Sequence, residues 1–233
     1  MSKIEIRNLS FSYPQNAVFE LFNLNMESEA INVIMGASGC GKTTLLHLLA
    51  SLLQPQAGSI QGINNKRVSY IFQEPRLLPW RTVIDNIKLT LNYLSSEAEK
   101  NAVALEMIEK VGLSRYQTYY PHQLSGGMRQ RVSMARAFAF QSDIILLDEP
   151  FQNLDIKLKE ELIQLFLCLW EADKRTVVCV THDVDEALKI ANAIFILGRK
   201  PGQVASVYPC VCKSNDYDEI KMKQILIEQL NSI

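Results

Sequence analysis

The chain is 233 residues long, room for one large α/β domain or at most two small ones. With 48% hydrophobic and 21% charged residues it can bury a sizeable core, which excludes wholesale disorder. The 24 Lys and Arg against 25 Asp and Glu give a net charge of −1, without the basic excess of a nucleic-acid-binding protein, so no nucleic-acid partner is expected.

In chain order, residues up to 35 read as β structure. Ile4 and Ile6 alternate with charged residues, Phe11 and Tyr13 follow, and Ile31–Met35 is a short buried run. A glycine-rich turn leads into a helix over Lys42–Leu53, then a strand over Val68–Phe72, with a short hairpin expected over Gly58–Arg67. The stretch from about 76 to 140 is all-helical in pattern, an insertion into an α/β core. Within it Ser96-Glu-Ala-Glu99 is a capping box, Ala104, Met107, Ile108 and Val111 share one helical face, and Gly112 is a stop. A second helix is predicted from Ser125 to about Phe140.

Strand–helix alternation then resumes. Ile144–Asp148 is a buried strand, Leu158, Leu162, Leu165 and Leu169 form a helical stripe, and Val177–Val180 and Ile194–Leu197 are strands around a short helix. Fully apolar strands alternating with helices indicate a parallel sheet covered on both faces. A terminal amphipathic helix is expected after Asn215, and no linker divides the chain, so residues 2–231 read as one domain.

The apolar runs, such as Leu165–Trp170, fall short of the roughly 18–20 residues needed to span a bilayer. The start, Met-Ser-Lys-Ile-Glu-Ile, has no apolar leader, so a cytoplasmic location is expected. Cys40, Cys168, Cys179, Cys210 and Cys212 are odd in number and read as reduced thiols. The lone C-x-C at 210 and 212 lacks the second ligand pair of a zinc site and reads as strand packing.

Three motifs carry chemistry. Gly36-Ala37-Ser38-Gly39-Cys40-Gly41-Lys42-Thr43 matches G-x-x-x-x-G-K-[ST] between a strand and a helix. Its glycines let backbone N–H groups close on a phosphate chain at a helix N-terminus. Lys42 would reach the β/γ-phosphates, and the Thr43 hydroxyl would ligate Mg²⁺. Ile144-Ile-Leu-Leu-Asp148-Glu149-Pro150 brings two carboxylates to the C-terminal end of a buried strand, where α/β sheets place ligands. Asp148 suits Mg²⁺ and Glu149 suits the polarising of water. Leu124-Ser125-Gly126-Gly127, opening a basic-polar helix, makes a second anion site.

With these three motifs in this order, the sequence resembles the ATP-binding cassette (ABC) family over about residues 3–210. The resemblance implies a P-loop NTPase cassette: a mostly parallel core sheet, an N-terminal antiparallel β subdomain and an inserted helical subdomain. It also implies ATP and Mg²⁺ as cofactors, Thr44 next to the phosphate loop, and Tyr13 stacking on adenine. Gln73 would sense Mg²⁺ and water, and His182 would act as the switch histidine on the γ-phosphate. Asn153-Leu154-Asp155 would form the D-loop at a dimer interface. In such proteins Ser125–Gly127 cap the nucleotide held by a partner copy, so a head-to-tail homodimer is expected. A membrane permease subunit would dock near Gln73 and Trp80 on the inner face of the cell membrane, with a solute-binding protein as an indirect partner.

Phe72-Gln-Glu-Pro-Arg-Leu-Leu-Pro-Trp80-Arg-Thr-Val, the methionine after Leu-Ser-Gly-Gly, and Arg199-Lys-Pro-Gly202 resemble the nitrate/sulfonate/taurine importer group, which includes thiamine-precursor transporters. At this length, the regulatory domain that some sugar importers carry is not expected. One departure stands out: Phe151-Gln152-Asn153-Leu154 replaces the small residues usual at the D-loop. The alternatives are poorer fits. A soluble ABC ATPase of repair or translation usually has long coiled-coil insertions or two cassettes, and a small-molecule kinase has no use for Leu-Ser-Gly-Gly. A degenerate regulator would lack one of Lys42, Asp148, Glu149 or His182.

Overall fold

In the computed structural model, the described residues are 3–198, 204–209 and 216–232. The chain begins with a hairpin, β1 (Ile4–Tyr13) and β2 (Asn16–Met26), antiparallel with Tyr13 opposite Asn16 at its tight end. β3 (Ile31–Gly36) is buried at all six positions and lies inside a second sheet. The phosphate-loop motif follows it and opens α1 (Lys42–Leu49). β4 (Ala57–Gln61) returns to pair with β1, closing a three-stranded antiparallel sheet in the order β2-β1-β4.

β5 (Val68–Ile71) enters the core sheet instead, so residues 58–67 are not the hairpin expected from the sequence. The two strands belong to different sheets: Ile60 pairs with Ile6, whereas Tyr70 pairs with Leu146. The connection crosses between layers. Predicted helix 42–53 also ends early. Ser51, at φ +56, takes the left-handed position past the helix, and the amides of Ser51 and Leu52 cap the carbonyls of Leu48 and His47. A glycine there would have been legible, but a serine was not.

The insertion between β5 and β6 is helical, as expected: α2 (Val83–Lys88), α3 (Glu97–Lys110), two short 3₁₀ turns, and α4 (Gly126–Ala139). Ser96 caps α3 through the Ala98 N–H at 3.2 Å. Gly112, at φ +72, stops it as predicted, with Gly112 N–H on Glu109 O and Leu113 N–H on Ile108 O.

β6 (Ile144–Asp148), α5 (Ile156–Ala172), β7 (Thr176–Val180), α6 (Val184–Ile190), β8 (Ala193–Leu197), β9 (Val204–Pro209) and α7 (Asp216–Ser232) complete the order. The core sheet runs β5-β6-β7-β3-β8-β9, parallel except for β9.

The apolar strands are explained by what covers them. Ile144, Leu146, Val178 and Val180 face a cluster formed by α1 and the antiparallel sheet, with Phe19, Phe22, Leu45 and Leu46. Ile145, Leu147, Val177 and Cys179 face the opposite layer, with Ala104, Ile108, Phe166 and Trp170. Alternate residues therefore serve two cores, leaving no polar face. Cys40, Cys168 and Cys179 are free thiols, with Cys168 exposed on α5. Cys210, Cys212 and Arg199–Gly202 lie outside the described residues. No helix among the described residues is long and apolar enough to cross a membrane.

Candidate functional site

The site is built at the C-terminal ends of β3, β6 and β7. Gly41 takes φ +101 immediately before α1, and a Cβ there would lie 2.6 Å from Val18 Cγ1 and 3.0 Å from the Phe19 ring. Only glycine meets both demands, so the loop closes tightly and α1 begins with no side chain on its first amides. Lys42 is buried at the loop's base, where Nζ donates to the carbonyls of Gly36 and Ala37, each at 2.9 Å.

A cleft of about 330 Å³ is lined by Ser38, Gly39, Gly41, Lys42, Thr43, Thr44 and Glu149, with Tyr13, Asn16 and Val18 at one side. Tyr13 is 44% exposed and meets Phe11 edge-to-face at 5.1 Å, which leaves its ring available to the cleft. Sequence reasoning missed Asn16 and Val18, because only the hairpin turn brings them beside the loop.

Thr43 Oγ1 donates to Asp148 Oδ1 at 3.3 Å, joining two of the three residues expected at a metal, while Gln73 is not among the residues lining the cleft. The second carboxylate oxygen accepts from the Tyr70 hydroxyl at 3.2 Å. Tyr70 was also missed, although register explains it: Tyr70 pairs with Leu146, and Asp148 lies two residues on, on the same face of the sheet. Burial raises the Asp148 carboxyl above the usual range, against the hydrogen bonds from Tyr70 and Thr43. Burial, then neighbouring Asp148, also pushes the Tyr70 phenol up. Among the described residues no cluster of three or more His, Cys, Asp or Glu forms a closed metal cage. A hydroxyl and a carboxylate fit a hard cation that completes its shell with phosphate oxygens and water, as Mg²⁺ does.

Glu149 takes φ +46, and its N–H donates to Val180 O at 2.9 Å. That unusual backbone turns its carboxylate beside β7, where Oε2 lies 3.1 Å from His182 Nδ1. Glu149 lines the 330 Å³ cleft and also a second cavity of about 250 Å³, bounded by Gln152, Asn153, Lys159, His182 and Glu186. Gln73, exposed after β5, donates from Nε2 to Gln152 Oε1.

Ser125, Gly126 and Gly127 stand at the N-terminus of α4 and line neither cavity. The Ser125 oxygen accepts from the Met128 N–H at 3.2 Å, which leaves its own proton to donate. Gly127 is a close-packing glycine: a Cβ would lie 2.6 Å from Leu158 Cδ1 on α5. Arg136, near the far end of the same helix, holds the carbonyls of Pro75 and Arg76 at 2.9 and 3.0 Å. His47 sits 6.2 Å from the Tyr70 ring, and His122 stacks on Tyr120. Glu186, 3% exposed, has an unpartnered Oε1, and burial pushes its carboxyl up to about 7 despite Lys159 at 3.6 Å.

A phosphate loop on the central strand, with an oxygen pair across from it and a carboxylate–histidine pair beside it, defines a P-loop nucleotide-hydrolysing protein. Residues 19–152 match the ABC transporter family. The chain is 40% identical over 214 residues to the taurine import ATP-binding protein TauB of Escherichia coli O157:H7, covering 88% of this chain and 84% of that one. It is 37% identical to the uncharacterized ABC transporter ATP-binding protein MJ0412 of Methanocaldococcus jannaschii, covering 88% and 81%. It superposes with a TM-score of 0.76 and 30% identity on the ATP-binding cassette MJ0796, solved as a dimer in a post-hydrolysis state with ADP and Pi, covering 89% and 98%. The chain belongs to the ABC transporter family and is an ATP-hydrolysing cassette of that family.

Proposed function

We propose that this chain is the ATPase subunit that energises an importer of a small anionic or polar solute, of the taurine, sulfonate or nitrate kind. The observation that carries the reading is the 40% identity to a taurine import ATP-binding protein over 88% of the chain.

ATP enters the 330 Å³ cleft with its adenine on Tyr13 and its phosphates on residues 36–44. The loop amides and the α1 N-terminus bind the phosphate oxygens, and Lys42 leaves the loop carbonyls for the β/γ-phosphates. Thr43, Asp148 and Gln73 would hold Mg²⁺, which would supply neutralisation of phosphate charge. Glu149 accepts a proton from the attacking water, acting as general base, and His182 fixes the carboxylate and contacts the γ-phosphate. A carboxylate is acceptor-only, so Nδ1 carries the proton shared with Glu149, and Nε2 is available for a second partner.

Ser125, Gly126 and Gly127 serve a partner copy in a head-to-tail homodimer. Their absence from the chain's own cleft supports this reading: an anion site remote from the loop is used when a second copy closes on it. The whole chain acts as one cassette. A membrane permease docks beside Gln73, where Trp80 is 69% exposed and Tyr119 and Tyr120 are also exposed. The chain then sits on the inner face of the membrane, and solute choice lies with the permease and its binding protein.

Uptake of radiolabelled taurine, alkanesulfonates and nitrate by cells whose own copy carries Glu149→Gln tests this. Loss of uptake of one of these solutes is expected. Unchanged uptake of all of them overturns the solute class.

A further inference from the structure

We propose that Gln152 is a positioning residue for Gln73: its side-chain oxygen holds the Gln73 amide so that Gln73 presents its carbonyl oxygen, not its nitrogen, to the metal. The inference rests on the nucleotide-and-metal reading above and assigns a role to a position where a small residue would supply no acceptor.

A glutamine amide has two ends of nearly equal shape and opposite chemistry. Facing a cation, the oxygen is a ligand and the nitrogen is a misplaced donor. Gln73 is exposed, and among the described residues its side chain has one hydrogen-bond partner, Gln152. The Gln73 nitrogen donates to Gln152 Oε1, which leaves the Gln73 oxygen as the end available to a cation.

Both sides of this contact are anchored. Phe151 is buried and meets Phe166 edge-to-face at 6.2 Å. Pro150 O accepts from Gln130 Nε2 at 2.6 Å, and the Gln152 N–H closes a turn onto Glu149 O at 3.3 Å. Gln152 therefore stands on the same turn as the general base. On the other side, Phe72 is held between the Tyr70 ring at 4.1 Å and the Arg76 guanidinium at 3.9 Å, and Arg136 holds the carbonyls of residues 75 and 76. The backbone around residue 73 is fixed from both directions, so the amide's orientation is what remains for Gln152 to set.

The test uses the full chain carrying Glu149→Gln, which stops turnover, and measures equilibrium binding of radiolabelled ATP as free Mg²⁺ is titrated. Gln152→Leu and Gln152→Ala remove the acceptor, whereas Gln152→Glu keeps an acceptor oxygen at the same reach. The free Mg²⁺ concentration for half-maximal binding is expected to rise about ten-fold in the first two, the low end for loss of an outer-shell partner. Gln152→Glu is expected at or below the parent value, and ATP binding without Mg²⁺ should be unchanged in all. The proposal is overturned if Gln152→Leu and Gln152→Ala stay within about two-fold of the parent, or if Gln152→Glu is shifted as far as they are. A parent that binds no ATP at all sinks the nucleotide reading itself. A parent that binds, with a flat Gln152 series, sinks this inference alone.

Discussion

His182 Nδ1 and Glu149 Oε2 stand 3.1 Å apart, although the two residues come from different strand ends and are 33 positions apart in the chain. The pairing follows from β6 and β7 being neighbours in parallel register, with Asp148 opposite Val180. Glu149 lies one residue past the end of β6 and His182 two residues past the end of β7, so the two side chains enter the site from adjacent strand ends. Glu149→Gln should lower ATP turnover by about 10²-fold or more, the usual contribution of a general base, with ATP binding retained. His182→Ala should lower turnover with the fold intact, since the ring is largely exposed. Steady-state phosphate release and nucleotide binding on the same preparations separate the two effects.

Gly41→Ala adds a Cβ to a residue at φ +101 and drives it to 2.6 Å from Val18. The backbone has to leave this conformation or the β2 hairpin has to retreat. A stability loss of about 1–3 kcal/mol and a loss of ATP affinity are expected together. Thermal unfolding and ATP titration check it. A variant that binds ATP normally would show that the loop tolerates a side chain there.

Much of this was legible in the residues themselves. The phosphate loop, the Asp148–Glu149 pair and Ser125–Gly127 each form a contiguous motif, and the motif carries its own geometry. The strands were legible because a parallel sheet buried on both faces needs unbroken apolar runs. What stayed hidden depended on pairing at long range. Tyr70 contacts Asp148 only because β5 lies beside β6, and Gln152 meets Gln73 only because two loops converge. The end of α1 was misread because Ser51 adopts the left-handed position that glycine usually signals.

Arg136 gives a prediction about wiring between the helical insertion and the loop after Gln73. Its side chain is half-buried and its guanidinium spans two carbonyls, of Pro75 and Arg76. Arg136→Ala should cost about 2–3 kcal/mol, because both carbonyls lose a charged donor. Arg136→Lys should recover part of that loss, since an ammonium lacks the planar fork. Denaturant unfolding of the three proteins measures the order. Equal stability of the Ala and parent chains would contradict it.

Glu186 predicts a pH effect. Its folded-state carboxyl is raised to about 7 by burial, above the ordinary 4.5. The folded state therefore holds this proton more tightly than the unfolded state. Stability from this group is full below about pH 4.5 and falls as pH rises toward 7 and beyond. Glu186→Gln removes the charge and keeps the shape. It should match the parent near pH 4.5 and exceed it at pH 8 by about 1–3 kcal/mol, a few degrees in Tm. Melting curves at the two pH values decide it, and a difference independent of pH would refute the assignment.

An ATPase of this kind is expected to drive a membrane partner. The most direct measurement is mass spectrometry of proteins that co-purify with the tagged full chain from gently solubilised native membranes, alongside Trp80→Ala. Trp80 is exposed, so its removal should leave stability within about 0.5 kcal/mol. A hydrophobic multi-span protein is expected to be recovered with the parent chain and depleted with Trp80→Ala. A parent chain that returns alone, while still hydrolysing ATP, would contradict it.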